Sequence, residues 1–98
     1  MNQQEMSVKI FKSLGHPIRY KIVKFLFDGP KCVSTINEEI EFSQANLSQH
    51  LKLLKDAGIL ESEKIGMEIY YRISNDDIKK IIECVDTCVQ TYINNLQR

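Results

Sequence analysis

Hydrophobic positions near the start of the chain recur at spacings of three and four, which is the period of an amphipathic helix. They predict a first helix over residues 4–15, ended by Gly15, and a second helix over about 17–27. Ser34 is predicted to cap a short third helix that runs through Ile40. The chain is therefore expected to open with three consecutive helices.

The segment 43–58 carries the most informative pattern. Ser43 is a strong N-cap candidate, and Gly58 stands where a helix end favours a positive φ. One side of the segment is apolar and the other is polar, with no carboxylate before Asp56. The apolar stripe is Leu47, Leu51 and Leu54, and the polar arc is Gln44, Asn46, Ser48, Gln49 and Lys52. Amides and hydroxyls can pair with base edges and phosphates, so the pattern predicts a DNA recognition helix.

The elements on either side of this segment fit the same interpretation. Only Glu41 and Phe42 separate the third helix from the predicted cap, which is the spacing of a helix-turn-helix. After the segment, residues 59–65 and 68–73 are rich in β-branched and aromatic side chains, with Gly66–Met67 between them. This pattern predicts a β-hairpin, which after a helix-turn-helix is the wing of a winged helix.

A last helix, predicted to be capped by Ser74, carries apolar residues spaced 4, 3, 4, 3 and 4 apart. This heptad seam consists of Ile78, Ile82, Val85, Val89, Tyr92 and Leu96. The seam could pack back on its own domain or pair with a second copy. The dimer is favoured because a two-fold axis would also present two recognition helices one DNA turn apart.

Composition and charge limit the domain organisation and the class of protein. The chain has 98 residues, with 43% hydrophobic and 27% charged, which predicts one soluble domain over residues 1–98 whose end helices dimerise. No signal peptide and no apolar run near the roughly 20 residues of a membrane span are recognisable, so a cytoplasmic location without a membrane partner is expected. The formal net charge of zero counts against a simple nucleic-acid binder. Bases nevertheless outnumber acids in residues 1–31, and acids outnumber bases in residues 76–98.

The cysteines are Cys32, Cys84 and Cys88, an odd number that argues against a disulfide framework. Cys84 and Cys88 stand one helical turn apart, with Cβ atoms roughly 5–6 Å apart. That separation strains a disulfide but suits a soft thiophilic ion. A third thiolate could come from Cys32 or from a second subunit. The alternative is that all three are small apolar packing residues.

Three ordered motifs resemble the ArsR family of small dimeric winged-helix repressors. They are Gly15-His16-Pro17-x-Arg19, then Ser43-Gln44-x-x-x-Ser48-x-His50-Leu51-x-x-Leu54-x-x-Ala57-Gly58, and finally Tyr70-Tyr71-Arg72-Ile73. The resemblance implies a mainly α fold of four helices, a small β-hairpin and a fifth helix. It also implies that the first and last helices form the dimer interface and that the fourth helix enters the major groove. Binding of an inducer is expected to release the operator.

The resemblance carries over less well to the sensing chemistry. Cys32 matches the first cysteine of the family's Cys-Val-Cys arsenic and cadmium motif, but Ser34 replaces the second. Asp77 matches the first residue of the family's zinc motif on the last helix, but Lys79 replaces the following histidine. The candidate sensing residues are instead Cys84 and Cys88, because of their one-turn spacing, with Cys32 as the third candidate. No cofactor is expected to be needed for folding, and As(III), Cd(II) or another thiophilic species is the candidate inducer.

The predicted DNA contacts come from the recognition helix and the wing. They are Ser43, Gln44, Asn46, Ser48, Gln49, His50, Lys52, Lys55 and Lys64. His50 lies beside the apolar stripe, so a hydrogen-bonded structural role is the alternative for it. His16, which precedes Pro17, is expected to cap a helix or to pack rather than to bind a ligand.

The leading function is a DNA-binding repressor that acts as a homodimer on a palindromic operator. The alternative is a winged-helix protein-interaction module, or a ligand-independent regulator, in which the cysteines are structural. The zero net charge and the wing acids Glu61, Glu63 and Glu68 favour that alternative slightly. A thiol enzyme is excluded, because the sequence lacks a Cys-x-x-Cys motif and a Gly-rich phosphate loop.

Overall fold

A computed structural model of the protein describes residues 1–40 and 46–97. The described residues form five α-helices and three β-strands in an order that matches the predicted winged helix. The helices are α1 (Gln3–Leu14), α2 (Pro17–Phe25), α3 (Val33–Glu39), α4 (Leu47–Asp56) and α5 (Asp76–Leu96). The strands are β1 (Lys31–Cys32), β2 (Leu60–Ile65) and β3 (Glu68–Ile73).

The first two helices begin where side chains satisfy free backbone amides. The Asn2 side chain accepts a hydrogen bond from the Glu5 N–H at 2.8 Å and so caps α1. His16 caps α2, because its Nδ1 atom accepts from the Ile18 N–H at 3.1 Å. The expectation that His16 is a cap or packing residue is confirmed.

Two other predicted caps are wrong. Ser34 lies inside the first turn of α3, because Cys32 ends the extended strand β1 and the helix must begin at the next residue. At α5 the cap is Asn75, whose side-chain oxygen accepts from the Ile78 N–H at 3.2 Å. The Ser74 hydroxyl donates instead to the Gly58 carbonyl at 2.6 Å, which ties the start of α5 to the end of the α4 segment.

The predicted hairpin is confirmed, and it belongs to a slightly larger sheet. β2 pairs antiparallel with β3 from Leu60 opposite Ile73 to Ile65 opposite Glu68. Gly66, with φ of 63°, supplies the turn conformation that few other residues adopt. The strand β1 extends the sheet to the order β1-β3-β2. Two residues are too few to show a hydrophobic period, so the sequence did not indicate this strand.

The core lies between the helices and the sheet, and it takes residues from each helix between α2 and α5. The buried apolar residues are Ile22, Val23, Leu26, Ile36, Ile40, Leu47, Leu51, Leu54, Ile59, Leu60, Ile78 and Ile82. The last helix leaves this core after Ile82, and residues 83–97 are all exposed in the single chain. None of the helices within residues 1–40 and 46–97 has the length and apolar character that crossing a membrane requires.

Candidate DNA-binding surface

The helix α4 separates its apolar and polar sides as predicted. Its buried residues are Leu47, His50, Leu51 and Leu54, whereas Asn46, Ser48, Gln49 and Lys52 are exposed. No acidic residue occupies its first turn. The structure therefore presents a run of hydroxyl and amide side chains without a carboxylate. The predicted contacts Ser43 and Gln44 lie outside the described residues.

Two lysines lie further along the same helix. Lys52 Nζ is 3.1 Å from Asp56 Oδ2, in an exposed pair one turn apart. Lys55 Nζ donates to Ser62 Oγ on β2 at 2.8 Å. An exposed ion pair such as that of Lys52 contributes about 0–1 kcal/mol, and a hydrogen bond such as that of Lys55 about 0.5–1.5 kcal/mol, so a phosphate could replace either partner at little cost. Both ammonium groups thus remain available to a DNA backbone.

The wing carries charges of both signs. Arg72 lies between two carboxylates, 3.3 Å from Glu61 and 3.6 Å from Glu63. Lys64 lies near the hairpin tip opposite Ile69 and is exposed. Because its neighbouring acids already neutralise Arg72, Lys64 is the wing cation better placed to approach a phosphate.

His50 has a different environment from the other predicted DNA contacts. It is only 8% exposed, and its ring centroid lies 4.6 Å from that of His16. Its Nδ1 atom is 3.4 Å from Arg19 Nη1. Burial lowers the pKa of His50, and the charges of His16 and Arg19 lower it further. The structure thus favours the structural alternative for His50 over a direct contact with bases.

The predicted heptad seam of α5 divides into two surfaces. Ile78 and Ile82 are 4% and 0% exposed, because they pack in the core of their own protomer. Their assignment to a dimer interface is corrected accordingly. Val85, Val89, Tyr92 and Leu96 are all exposed, and Tyr92 and Leu96 each expose 65% of their surface. The first helix adds Met6 and Phe11 to the exposed apolar residues.

A polar cluster joins α5 to α2 just beyond the core. Asp86 accepts hydrogen bonds from Tyr20 Oη at 3.0 Å and from Lys24 Nζ at 2.7 Å. The bond from Lys24, and then the bond from Tyr20, lower the pKa of the Asp86 carboxyl. Burial and the bond to Asp86 raise the pKa of Tyr20. Sequence reasoning missed this cluster, because Asp86 is more than 60 residues from both of its partners and all three resemble ordinary surface groups.

The cysteines do not share one environment. Cys84 and Cys88 are exposed on α5 of the single chain. Cys32 is half-buried at the start of α3, with its Sγ 3.2 Å from the hydroxyl oxygens of Ser34 and Thr35. Within residues 1–40 and 46–97, no group of three or more His, Cys, Asp or Glu side chains could hold a metal ion. Cys32 therefore does not complete a three-ligand site with the other two in one protomer.

The fold and this surface define a winged-helix DNA-binding protein, in which α4 stands in the position of the recognition helix. Residues 16–62 match the family model described as bacterial regulatory protein, arsR family. The chain is 40% identical over 87 residues to an uncharacterized HTH-type transcriptional regulator of Methanocaldococcus jannaschii, covering 88% of this chain and 98% of that protein. The protein belongs to the ArsR family of transcriptional regulators, as the sequence motifs predicted, and is not an enzyme.

Two further similarities are to a curated regulator and to a solved structure. The chain is 39% identical over 83 residues to a cadmium resistance transcriptional regulatory protein CadC homolog of Staphylococcus aureus, covering 83% of this chain and 69% of that protein. A solution NMR structure of a homodimeric winged helix-turn-helix DNA-binding domain from Mycobacterium bovis superposes with a TM-score of 0.82. It covers 89% of this chain and 81% of the M. bovis chain at 24% identity, so it supports the fold alone.

Proposed function

We propose that the protein is a transcriptional repressor that binds a palindromic operator as a homodimer, with α4 of each protomer in the major groove. The observation that carries the proposal is the polar side of α4, which is exposed while its opposite side is buried. Ser48 and Gln49 offer the hydroxyl and amide groups that read base edges. Lys52, Lys55 and Lys64 offer cations for phosphates, and these contacts position the helix without specifying sequence.

The dimer is proposed from the apolar surface that the protomer leaves uncovered on α5 and α1. Four exposed apolar residues, Val85, Val89, Tyr92 and Leu96, continue the spacing that buries Ile78 and Ile82 earlier in the helix. Burying such a surface contributes about 25 cal/mol per Å². Successive major grooves on one side of the duplex lie about 34 Å apart, so the proposed dimer must present its two α4 helices at that separation.

The signal is proposed to be a thiophilic species, such as As(III) or Cd(II), that binds Cys84 and Cys88. Both thiols are exposed and stand one turn apart on the helix that carries the proposed dimer surface. A species that binds the DNA-free conformation more tightly than the DNA-bound conformation would shift the protein toward the DNA-free state. The operator would then be released, and the extent of release is set by the difference between the two affinities. The folded protomer would need no metal, since its core is formed by apolar side chains.

A mobility shift on the DNA upstream of the gene, at two salt concentrations, tests the DNA-binding proposal. We expect specific binding that weakens steeply with salt, because lysine contacts release phosphate counterions. Ser48→Ala combined with Gln49→Ala should abolish the preference for this DNA over a scrambled sequence while the dimer stays folded. The matched control is Thr87→Ala combined with Gln90→Ala, which removes a hydroxyl and an amide from α5 away from the apolar seam. Equal preference in both double variants would contradict the assignment of α4.

The same DNA complex tests the sensing proposal. Titration of the reduced protein with arsenite or cadmium should release DNA from the wild type. Cys84→Ser combined with Cys88→Ser should remove that response, whereas Cys32→Ser should retain it. A response that survives the double replacement would show that the α5 pair is structural. If no DNA binds under any condition, a protein-interaction module becomes the better explanation.

A further inference from the structure

We infer that Arg19 is a positioning residue for DNA binding, which holds the recognition helix α4 in place through a neutral His50. The inference rests on the proposed function, because it concerns the helix that would read DNA. Neither Arg19 nor its partners would touch the duplex. Their effect would pass through the orientation of Ser48 and Gln49, which immediately precede His50 in the sequence.

The Arg19 guanidinium connects three helices. From α2, its Nε donates to the Ser13 carbonyl at 2.6 Å, and its Nη2 lies 3.4 Å from the Lys12 carbonyl, both in the last turn of α1. Its Nη1 lies 3.4 Å from His50 Nδ1 on α4. A guanidinium is planar and presents its donors in a fixed fork, so contacts on α1 restrict where the contact to α4 can be.

This contact fixes the protonation state of His50. Arginine has only donors, so the atom facing Nη1 must be an acceptor. The Nδ1 atom of His50 therefore carries no proton, and the neutral ring carries its proton on Nε2. Protonation of Nδ1 would place two donors face to face and remove the link between α2 and α4.

The surroundings of His50 oppose that protonation. The imidazole is largely buried, His16 lies against it at the start of α2, and Arg19 faces it from within α2. Burial is the largest cause that lowers the pKa of His50, followed by the charges of His16 and Arg19. No carboxylate of the described residues contributes to the shift. The cluster is thus built to keep the ring neutral.

The buried residues Leu47, Leu51 and Leu54 hold α4 against the core. The hydrophobic effect that drives this contact is non-directional, whereas the polar contact between Arg19 and His50 has a preferred direction. Polar recognition needs its groups within about 0.5 Å and 10–20° of the productive geometry. Loss of the Arg19–His50 contact should therefore weaken DNA binding more than it weakens folding.

The sign of the pH effect follows from the lowered pKa of His50. Because the folded state binds this proton less readily than the unfolded state, the neutral ring contributes fully above about pH 6.5, the ordinary histidine value. The contribution is lost as the pH falls below that value and through the folded-state pKa. DNA binding involves only the folded protein, so DNA affinity should fall as the pH drops through the lowered folded-state pKa of His50.

The experiment measures the affinity of the full-length protein for its upstream DNA by fluorescence anisotropy, from about pH 8, above the ordinary histidine value, down to the lowest pH at which circular dichroism shows the protein folded. Arg19→Gln should lower affinity about tenfold at the upper end, the scale of one hydrogen bond to a charged group. Lys21→Gln removes the same charge from the exposed side of α2 and serves as the control. Equal losses in the two variants, with intact folding by circular dichroism, would overturn the inference.

Two further variants keep the test decisive if Arg19→Gln fails to fold. His50→Asn retains an acceptor near the Nδ1 position but does not titrate, so the DNA affinity of this variant should no longer fall at low pH. His16→Asn retains a good helix cap and should keep the pH-dependent fall. A fall that persists in His50→Asn and disappears in His16→Asn would contradict the proposed role of His50.

Nitrogen NMR of the histidine rings gives a readout that does not depend on DNA. We expect the His50 proton on Nε2 at neutral pH, and a proton on Nδ1 would refute the geometry. If the wild type binds no DNA, the proposed function fails and the tautomer still tests the contact. If the wild type binds DNA and the variants show no difference from their controls, only the positioning role fails.

Discussion

The helices α4 and α5 show similar periodic patterns but bury them differently. All the apolar residues of the α4 stripe, Leu47, Leu51 and Leu54, are covered by their own protomer. In α5 only Ile78 and Ile82 are covered, and the helix is exposed from residue 83 onward. The side of α4 proposed to act in function is therefore its polar side, whereas on α5 it is the apolar side. A heptad pattern identifies an apolar face without identifying what covers it.

The difference arises from where each helix meets the rest of the chain. The helix α4 packs against α1, α2 and β2 along its length. The helix α5 is fixed at its start by the Asn75 cap and then extends past the core. Its next polar attachment among the described residues is Asp86, which binds Tyr20 and Lys24 on α2. Beyond that point the described residues of the helix are exposed, so their apolar side chains are available to pack against a second copy of the chain.

The largest effect on stability should come from a substitution that creates a cavity beside α4. Leu54 is 0% exposed, so Leu54→Ala should lower the free energy of unfolding by about 2–5 kcal/mol. Val89→Ala on α5 should lower it only where dimers form, because the stability of a dimer depends on protein concentration. Urea unfolding at several protein concentrations distinguishes a loss of stability within the protomer from a loss of stability at the dimer interface. A concentration-dependent loss for Leu54→Ala, or a concentration-independent one for Val89→Ala, would contradict this comparison.

A smaller effect on folding, but a large one on assembly, should follow from charges on the exposed half of α5. Val89→Asp combined with Tyr92→Asp should dissociate the proposed dimer, because burying two carboxylates without partners is costly. Operator affinity should then fall more than tenfold, since one half-site contact is lost. Sedimentation velocity measures the fraction of the protein that is dimeric. Gln90→Asp, on the opposite side of the helix, should leave the dimer intact.

The smallest effect should come from the attachment of α5 to α2. Asp86→Asn weakens the contacts with Tyr20 and Lys24, and we expect a slight, salt-dependent loss of thermal stability. Because the folded-state pKa of Asp86 is lowered, its contribution is complete above the ordinary aspartate value and is lost as the pH falls through the lowered one. The wild type and the variant should therefore converge in acid. Asp77→Asn, whose carboxylate lies 3.9 Å from Lys80, is the control and should change little.

The sequence was sufficient for those features that depend on local pattern. The five helices, the hairpin at Gly66 and the polar side of α4 all follow from periodicity and turn residues. The choice between Ser74 and Asn75 as a cap was not predictable, because both residue types can cap and the Gly58 carbonyl decides between them. A tertiary contact must also be known before a residue such as Ile82 can be assigned to the core.

The residues missed or misassigned in the site share a physical cause. Arg19 and His50 lie 31 positions apart, and Tyr20 and Asp86 lie 66 apart, so no local period relates them. Each of these side chains alone resembles a surface group or a DNA contact. Only the packing of α1, α2, α4 and α5 shows which polar groups meet.

The most direct test of the central claim is a methylation-protection footprint of the wild type on DNA that it selects from a random pool. Guanine N7 atoms lie in the major groove, so the footprint reports where α4 binds. We predict two protected segments about 10 base pairs apart, centre to centre, related by a palindrome. A single protected segment, protection confined to the minor groove, or an unchanged pattern with Ser48→Ala and Gln49→Ala would contradict the account.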